Sequence, residues 1–385
     1  MKPFKFNVAV LMLITSIASF AQTKLVYSKS FETDLNTTAI FNLENTAVAI
    51  EESEDNMMHF DYKIEFSNYT KKEIQSFLDN IKVEAVIYQN HITLTANSAS
   101  KVVSESFEVD SPFGLTLDSD FFKTDSLNHK ISKKSKDSII SLINDESFKA
   151  ILKSFKLLDK DKNKKPLDLS KVKMYKSLFV IKLPKSLKLT ISGKESQITF
   201  REDYKNELSL SLVKGFFKAK KLANAYNKIK IENANFKSEE INGGKYNFIN
   251  VTNGLIGSVS QVDINSELSK IQIGEVQKNV TITDFNSEYW LYNWSVNFNR
   301  FDLFSQYSKI HYFYPETDYG LKVIGNNTVN YFGNTKVVMQ PSKKGEKFNL
   351  MERKLKTDSP SGTINIDIVH GVIYSYDQAF FKSEN

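Results

Sequence analysis

The chain of 385 residues carries 51 basic and 45 acidic side chains, a formal net charge of +6 and no cysteine. The missing cysteines exclude a disulfide-stapled domain and argue against attachment through a lipidated N-terminal cysteine, while the length suffices to bury a core without staples. Among the basic residues only Arg201, Arg300 and Arg353 are arginine, the better bidentate phosphate ligand. Because the lysines are interspersed with acids, the composition points away from nucleic acid as a partner.

In chain order, Lys2 and Lys5 precede an apolar run from Val8 to Ile17, and Ser19-Phe20-Ala21 places small residues where a signal peptidase needs them. This predicts a cleaved leader over 1–21 and a mature chain starting at Gln22. The run is shorter than the ~20 apolar residues that span a bilayer, and no later segment is apolar enough, so no transmembrane segment is expected in the mature chain. The expected destination is the periplasm, the cell surface or the medium.

Residues 22–99 read as a small β region. "TAIFNLENTAVAIEE" (38–52), "MMHFDYKIEF" (57–66), "IKVEAVIY" (81–88) and "HITLTA" (91–96) alternate apolar and polar residues, with Gln89-Asn90 as a hairpin turn. From 100 to 175 the texture changes to Ser, Lys and Asp. Within it, "SIISLINDESFKAILKSFKLL" (138–158) repeats its apolar residues every three or four positions, which predicts an amphipathic helix. The segment reads as a charged insertion on the β body that contributes little to its core. Its "DKDKNKKPLDLS" begins like a calcium loop with Asp159, Asp161 and Asn163. Lys164 then stands where the turn needs glycine and Ser170 where a bidentate Glu is required, so it reads as a charged loop.

Residues 176–385 open with the strand patterns "LFVIKLP" (178–184), "LKLTISG" (187–193) and "SQITF" (196–200). One phrase then recurs as "YNKIKI" (226–231), "LSKIQI" (268–273) and "YSKIHY" (307–312), with "YNFINV" (246–251) and "EYWLYNWSVNF" (288–298) between the copies at steps of about 20 residues. Strands recurring at that interval without long helices predict an all-β fold: a right-handed parallel β-helix or solenoid with ~20-residue repeats. In it Ile229, Ile231, Ile271, Ile273 and Ile310 point inward and stack in register. The absence of proline between Pro184 and Pro315 agrees with unbroken ladders. An antiparallel sandwich is the competing arrangement.

The stretches "FNLENTAVAIEESEDNMMHFDYKIEF" and "FVIKLPKSLKLTISGKESQITF", followed by Asn-rich strand repeats, resemble the bacterial putative-adhesin family with a GIN-like head domain. The "FAQ" junction and the Lys-, Asn-, Ile- and Phe-rich composition are similar to those of Bacteroidetes proteins. The resemblance covers about 30–96 and 176–376 and implies an exported envelope β-solenoid. It implies no catalytic residues.

The residues themselves show no catalytic constellation, cofactor motif or metal set. His59, His91, His129, His311 and His370 have no metal-spaced partners, and no nucleophile elbow, phosphate loop or dinucleotide fingerprint occurs. Glu51-Glu52 and Glu239-Glu240 are the acidic pairs that a glycosidase reading would draw on. In the aromatic run, alternation assigns Trp290, Tyr292, Trp294, Val296 and Phe298 to the core and Tyr289, Leu291 and Asn293 to the outside. The alternative is a sugar-stacking platform of Tyr289, Trp290 and Trp294, with Tyr289 its exposed member. The expected function is a non-enzymatic envelope adhesin or scaffold whose partner is a surface polysaccharide or another envelope protein. A carbohydrate-binding or carbohydrate-cleaving β-helix is the alternative.

Overall fold

The computed structural model describes residues 22–98, 105–108, 133–144, 173–332, 335–339, 349–353 and 360–376. The expected leader, His129, the loop at 159–170 and the expected helix beyond Asn144 lie outside them. The N-terminal part runs β1 (Gln22–Glu32), β2 (Thr38–Glu44), β3 (Ala47–Glu52), β4 (Met57–Ser67), helix α1 (Lys71–Leu78), β5 (Ile81–Tyr88), β6 (His91–Ser98) and β7 (Glu105–Glu108). Helix α2 (Lys136–Asn144) precedes the long strands β8 (Lys173–Leu183), β9 (Lys188–Phe200), β10 (Leu208–Ala223) and β11 (Lys228–Asn242). Shorter strands follow: β12 (Lys245–Ile249), β13 (Gly254–Ser260), β14 (Val262–Glu267), β15 (Lys270–Val276), β16 (Val280–Phe285), β17 (Glu288–Leu291), β18 (Arg300–Gln306) and β19 (Lys309–Phe313). The chain closes with β20 (Gly320–Asn326), β21 (Thr328–Phe332), β22 (Thr335–Met339), β23 (Asn349–Glu352), β24 (Thr363–Val369) and β25 (Val372–Tyr376).

The fold is all-β, and its pairing is mostly parallel and compatible with a β-helix. Strands stack in two columns. In the first, β6, β2, β9, β10, β11, β12, β14, β16, β18, β24 and β20 are successive parallel neighbours. In the second, the later halves of β9, β10 and β11 lead to β13, β15, β17, β19, β25 and β21. Period-2 alternation turns one residue in two inward. The first column thereby buries the row Phe41, Ile191, Leu210, Ile229, Tyr246, Ile264, Ile282, Leu303 and Ile366. Burying each such side chain is worth roughly 1.5–3 kcal/mol.

Ile229, Ile231, Ile271, Ile273 and Ile310 all point inward, at no more than 2 % exposure. They do not form one stack. Ile229 belongs to the first column, whereas Ile271 and Ile310 lie in the second, on either side of Tyr289. The similar phrases occupy different corners of the chain path, and register steps run from 17 residues (Gly254↔Ile271) to 21 (Val280↔Phe301).

A recurring corner explains the phrase "LSK" or "YSK". Where each first-column strand except β6 leaves its column, one residue adopts the left-handed region: Asn45, Glu195, Lys214, Asn233, Asn250, Leu268, Asn286, Tyr307, Asn327 and His370. Asn tolerates this backbone; a bulky residue there is uncommon. At several corners the following residue is a buried Ser or Thr. The Ser269, Ser287 and Ser308 hydroxyls donate to the carbonyls of Glu267, Phe285 and Gln306. They accept from the amides of Val251, Ser269 and Ser287 in the neighbouring rung. Backbone groups that the turn removes from the ladder are thus satisfied inside the core.

Two features depart from sequential stacking. β2 pairs in register with β9 over seven residues, so stretches 150 positions apart are neighbours, tied by Lys194–Glu44 and Arg201–Glu51 ion pairs. At the other end, β24 and β25 insert between β18/β19 and β20/β21. Antiparallel strands cover the outermost rungs: β5 on β6, β4 on β8, β23 on β20 and β22 on β21.

Helix α2 lies on the outer side of the second column. Its Ile139 and Ile143 are buried against Leu255, Tyr292 and Phe313. Gly257 and Gly274 beneath it allow the approach, since a Cβ on Gly257 would meet Ile140 Cγ1 at 2.8 Å and the Glu239 carbonyl at 2.3 Å. This part of the insertion therefore belongs to the β body.

Candidate functional site

The two columns present two outer faces with different chemistry. On the second column, register aligns Trp290, His311, Tyr374 and Tyr331 on adjacent strands. Their rings stack: Trp290 on His311 at 3.8 Å between centroids, His311 on Tyr374 at 4.6 Å and Tyr374 on Tyr331 at 5.2 Å, all within 7° of parallel. Beside them, Tyr292 packs on Phe313 and Phe313 on Tyr376, whose hydroxyl bonds His311 Nδ1 at 2.8 Å. Burial lowers the His311 pKa to about 4, against the opposing pull of Glu288, whose carboxylate lies 3.7 Å away.

This geometry corrects the faces expected for "EYWLYNWSVNF". Tyr289 and Leu291 point inward, and Tyr289 is fully buried, so it is not the exposed member of a platform. Its hydroxyl shares a 2.6 Å hydrogen bond with Ser266, and burial pushes its phenol well above the ordinary range. Trp290 points outward; Tyr292 is buried under α2 rather than in the main core. Strand β17 ends at Leu291, and the alternation ends with it, leaving Val296 on the surface. Trp294 donates its indole N–H to the Phe313 carbonyl at 2.7 Å and meets Phe301 edge-on. The ladder spends its aromatic faces on one another.

The first column's outer face is arranged otherwise. An open groove of about 630 Å³ crosses β12, β14, β16, β18 and β24. One register row along it is Asn247, Asn265, Thr283, Phe304 and Asp367; the next is Ile249, Glu267, Phe285, Gln306 and Val369. Phe285 and Phe304 are 44 % and 49 % exposed, and the corner residues Leu268 and Tyr307 continue the apolar rim. Phe285 meets Tyr307 edge-on at 5.8 Å, and Tyr307 stacks on His370 at 5.1 Å. Both Leu268 and Tyr307 hold the left-handed backbone, at φ 51° and 60°. A costly conformation that displays an apolar side chain to water is a pointer to function.

Behind the floor sits Asp284, buried and facing the core. It accepts from Ser266 (2.6 Å), Ser308 (2.5 Å) and Ser305 (3.3 Å). These bonds hold the strands that carry the groove, whose lining also includes Asp284, Ser266 and Ser305.

The other residues singled out in the sequence lie elsewhere. Glu51 pairs with Arg201, Glu52 with Lys185 and Glu240 with Lys221, while Glu239 accepts from Asn144. His59 bonds Asp55 and Ser30, and His91 bonds Thr38. Among the described residues no group of three or more His, Cys, Asp or Glu is placed to hold a metal, and no helix is long and apolar enough to cross a membrane. Sequence reasoning missed the groove, although a signal was present: Phe285 and Phe304 fall on the polar side of their alternation, with Thr283 and Gln306.

No family model matches the chain, and no curated protein matches it. Two solved chains do. One is a "putative cell adhesion protein" from Clostridium sporogenes, 12 % identical, with the match covering 93 % of this chain and 100 % of that one at a TM-score of 0.21. At that score the likeness is loose and carries no argument about fold detail or role. The adhesin-family resemblance of the strand motifs rests on the sequence.

Proposed function

We propose that this chain is an exported β-solenoid of the cell envelope that works by adhesion, gripping a surface polysaccharide in the groove of its first column. The observation that supports this reading is the groove itself. Amide, hydroxyl and carboxylate side chains recur along its floor at the ~4.8 Å strand spacing, and Phe285, Phe304 and Tyr307 border it with exposed rings. Sugar rings have apolar faces and hydroxyl edges, so a surface of flat rings and fixed polar groups fits them. The right-handed coil, the leader at 1–21 and the envelope location belong to the same reading.

Cleavage of the polysaccharide is the alternative. Glu267 and Asp367 stand on strands three rungs apart, roughly 14 Å at the strand spacing. The two carboxyl groups of a glycosidase lie about 5–10 Å apart. The groove therefore favours holding a glycan over hydrolysing it. Incubating the purified chain with a glycan panel tests this: retention of at least one polymer with no shortening is expected, and chain shortening overturns it. N-terminal sequencing of the exported protein tests the leader, with Gln22 expected as the first residue and intact Met1 the contrary result.

A further inference from the structure

The groove is acidic on a basic protein. Glu267 and Asp367 line it on the outside and the buried, serine-bonded Asp284 lies behind them, and no lysine, arginine or histidine is among the described residues that line it. The adjoining register row, Lys245, Asp263, Thr281, Asp302 and Asn365, adds one lysine and two acids. Several acids on these rungs are neutralised within the chain: Glu232 by Lys230, Glu240 by Lys221, Glu288 by Lys270 and Asp302 by Arg300. Neither Glu267 nor Asp367 forms an ion pair among the described residues. With no basic side chain lining the groove, these carboxylates leave it locally negative on a chain whose net charge is positive.

Their spacing selects the kind of cation. On strands three rungs apart they cannot chelate one metal ion, whose ligands all lie within about 2.6 Å of it. They suit a ligand that carries separate positive charges along an extended backbone. On the strands between them lie Thr283 and Gln306, side chains able to hydrogen-bond hydroxyl groups, and the exposed rings of Phe285 and Phe304. On the glycan reading the ring and amide groups meet sugar faces and hydroxyls, and the carboxylates then call for cations carried by the same polymer. Resting on the glycan-binding reading, we propose that the groove's ligand is an aminated polysaccharide, a polymer of hexosamines with free amino groups, and that Glu267 and Asp367 bind its ammonium groups.

Isothermal titration of the full chain, at low ionic strength and with the sugar amines protonated, tests the assignment. The probes are a fully deacetylated chito-oligosaccharide, its N-acetylated counterpart, an oligogalacturonate and oligolysine. Exposed charge pairs are individually weak, so the amine form is expected to bind roughly two- to tenfold more tightly than the N-acetyl form. The uronate should bind weakest, and added salt should reduce the difference by screening. In the Glu267→Gln/Asp367→Asn double variant the preference should vanish while the N-acetyl affinity holds. Phe304→Ala should weaken both sugars alike.

Equal binding of amine and N-acetyl forms, or a preference that survives the double variant, overturns the aminated-glycan assignment and leaves glycan binding standing. Uronate binding as tight as the amine does the same. Oligolysine binding that matches the amino sugar and is lost in the double variant assigns the groove to a basic peptide. No binding of any sugar removes both readings.

Discussion

The two outer faces start from the same scaffold and the same residue classes, yet differ in what their aromatics touch. On the second column Trp290, His311, Tyr374 and Tyr331 stack ring on ring, and helix α2 covers part of the same face. On the first column Phe304 and Phe285 stand about half exposed above a floor of Asn, Thr, Glu and Gln. Parallel in-register strands bring like positions together every rung. Rings that share a register row on consecutive rungs stack on one another. Phe304, whose row neighbours are Thr283 and Asp367, and Phe285, whose row neighbours are Glu267 and Gln306, are left half exposed. Register thus separates an aromatic girder from an exposed aromatic edge.

The comparison can be broken most severely from beneath both faces. Ile271 is fully buried between Gly254 and Tyr289 in the second column. Ile271→Asp would place an unpaired carboxylate there at a cost of at least about 4 kcal/mol, enough to abolish the cooperative thermal transition. A native-like melting curve for that variant would contradict the inward register.

The girder itself comes next. Trp290→Ala should lower stability by about 2–3 kcal/mol in chemical denaturation, through lost burial and ring stacking. It should leave glycan affinity unchanged. His311 adds a pH dependence to the same face. Its pKa falls from 6.5 in the unfolded chain to about 4 in the fold because burial disfavours the cation. Its contribution is complete above pH 6.5 and is lost as pH falls toward 4, by up to about 3 kcal/mol. His311→Phe should keep a ring in the stack and remove that component, seen as the difference between the two proteins' stability–pH curves. Identical curves would mean that His311 is not buried in its neutral form.

Phe304→Ala should have the smallest effect on folding, within about 0.5 kcal/mol, because the ring is half exposed. A loss comparable to that of Trp290→Ala would make both faces structural.

Much of this architecture was legible in the sequence because alternation is a local property. The inward set of Ile229, Ile231, Ile271, Ile273 and Ile310 follows from period 2 alone. Which copies share a column does not, because it depends on two kinds of corner. "LSK" and "YSK" mark the left-handed turn with its serine, whereas in "YNK" Asn227 accepts from the Leu208 amide at another bend. The pairing of β2 with β9 and the insertion of β24 between β18 and β20 are long-range choices that no window reports. In the aromatic run the strand ends at Leu291, so one alternation cannot hold from Tyr289 to Phe298, and Tyr289 faces inward while Trp290 faces outward. The groove was half-written, as Phe285 and Phe304 on polar faces. Their adjacency needs the rungs at Val280↔Phe301 to skip three extra residues and stay in register.

The most direct test of the two-face account is a paired titration of one chito-oligosaccharide into the wild-type chain, Phe304→Ala and Trp290→Ala, with each variant's fold verified by its thermal transition. Loss of a stacking ring from a sugar site costs about 0.5–1.5 kcal/mol, roughly two- to twelvefold in affinity. The account predicts that loss for Phe304→Ala and wild-type affinity for Trp290→Ala. Wild-type affinity in Phe304→Ala, with the loss in Trp290→Ala, would contradict it and move the binding edge to the second column.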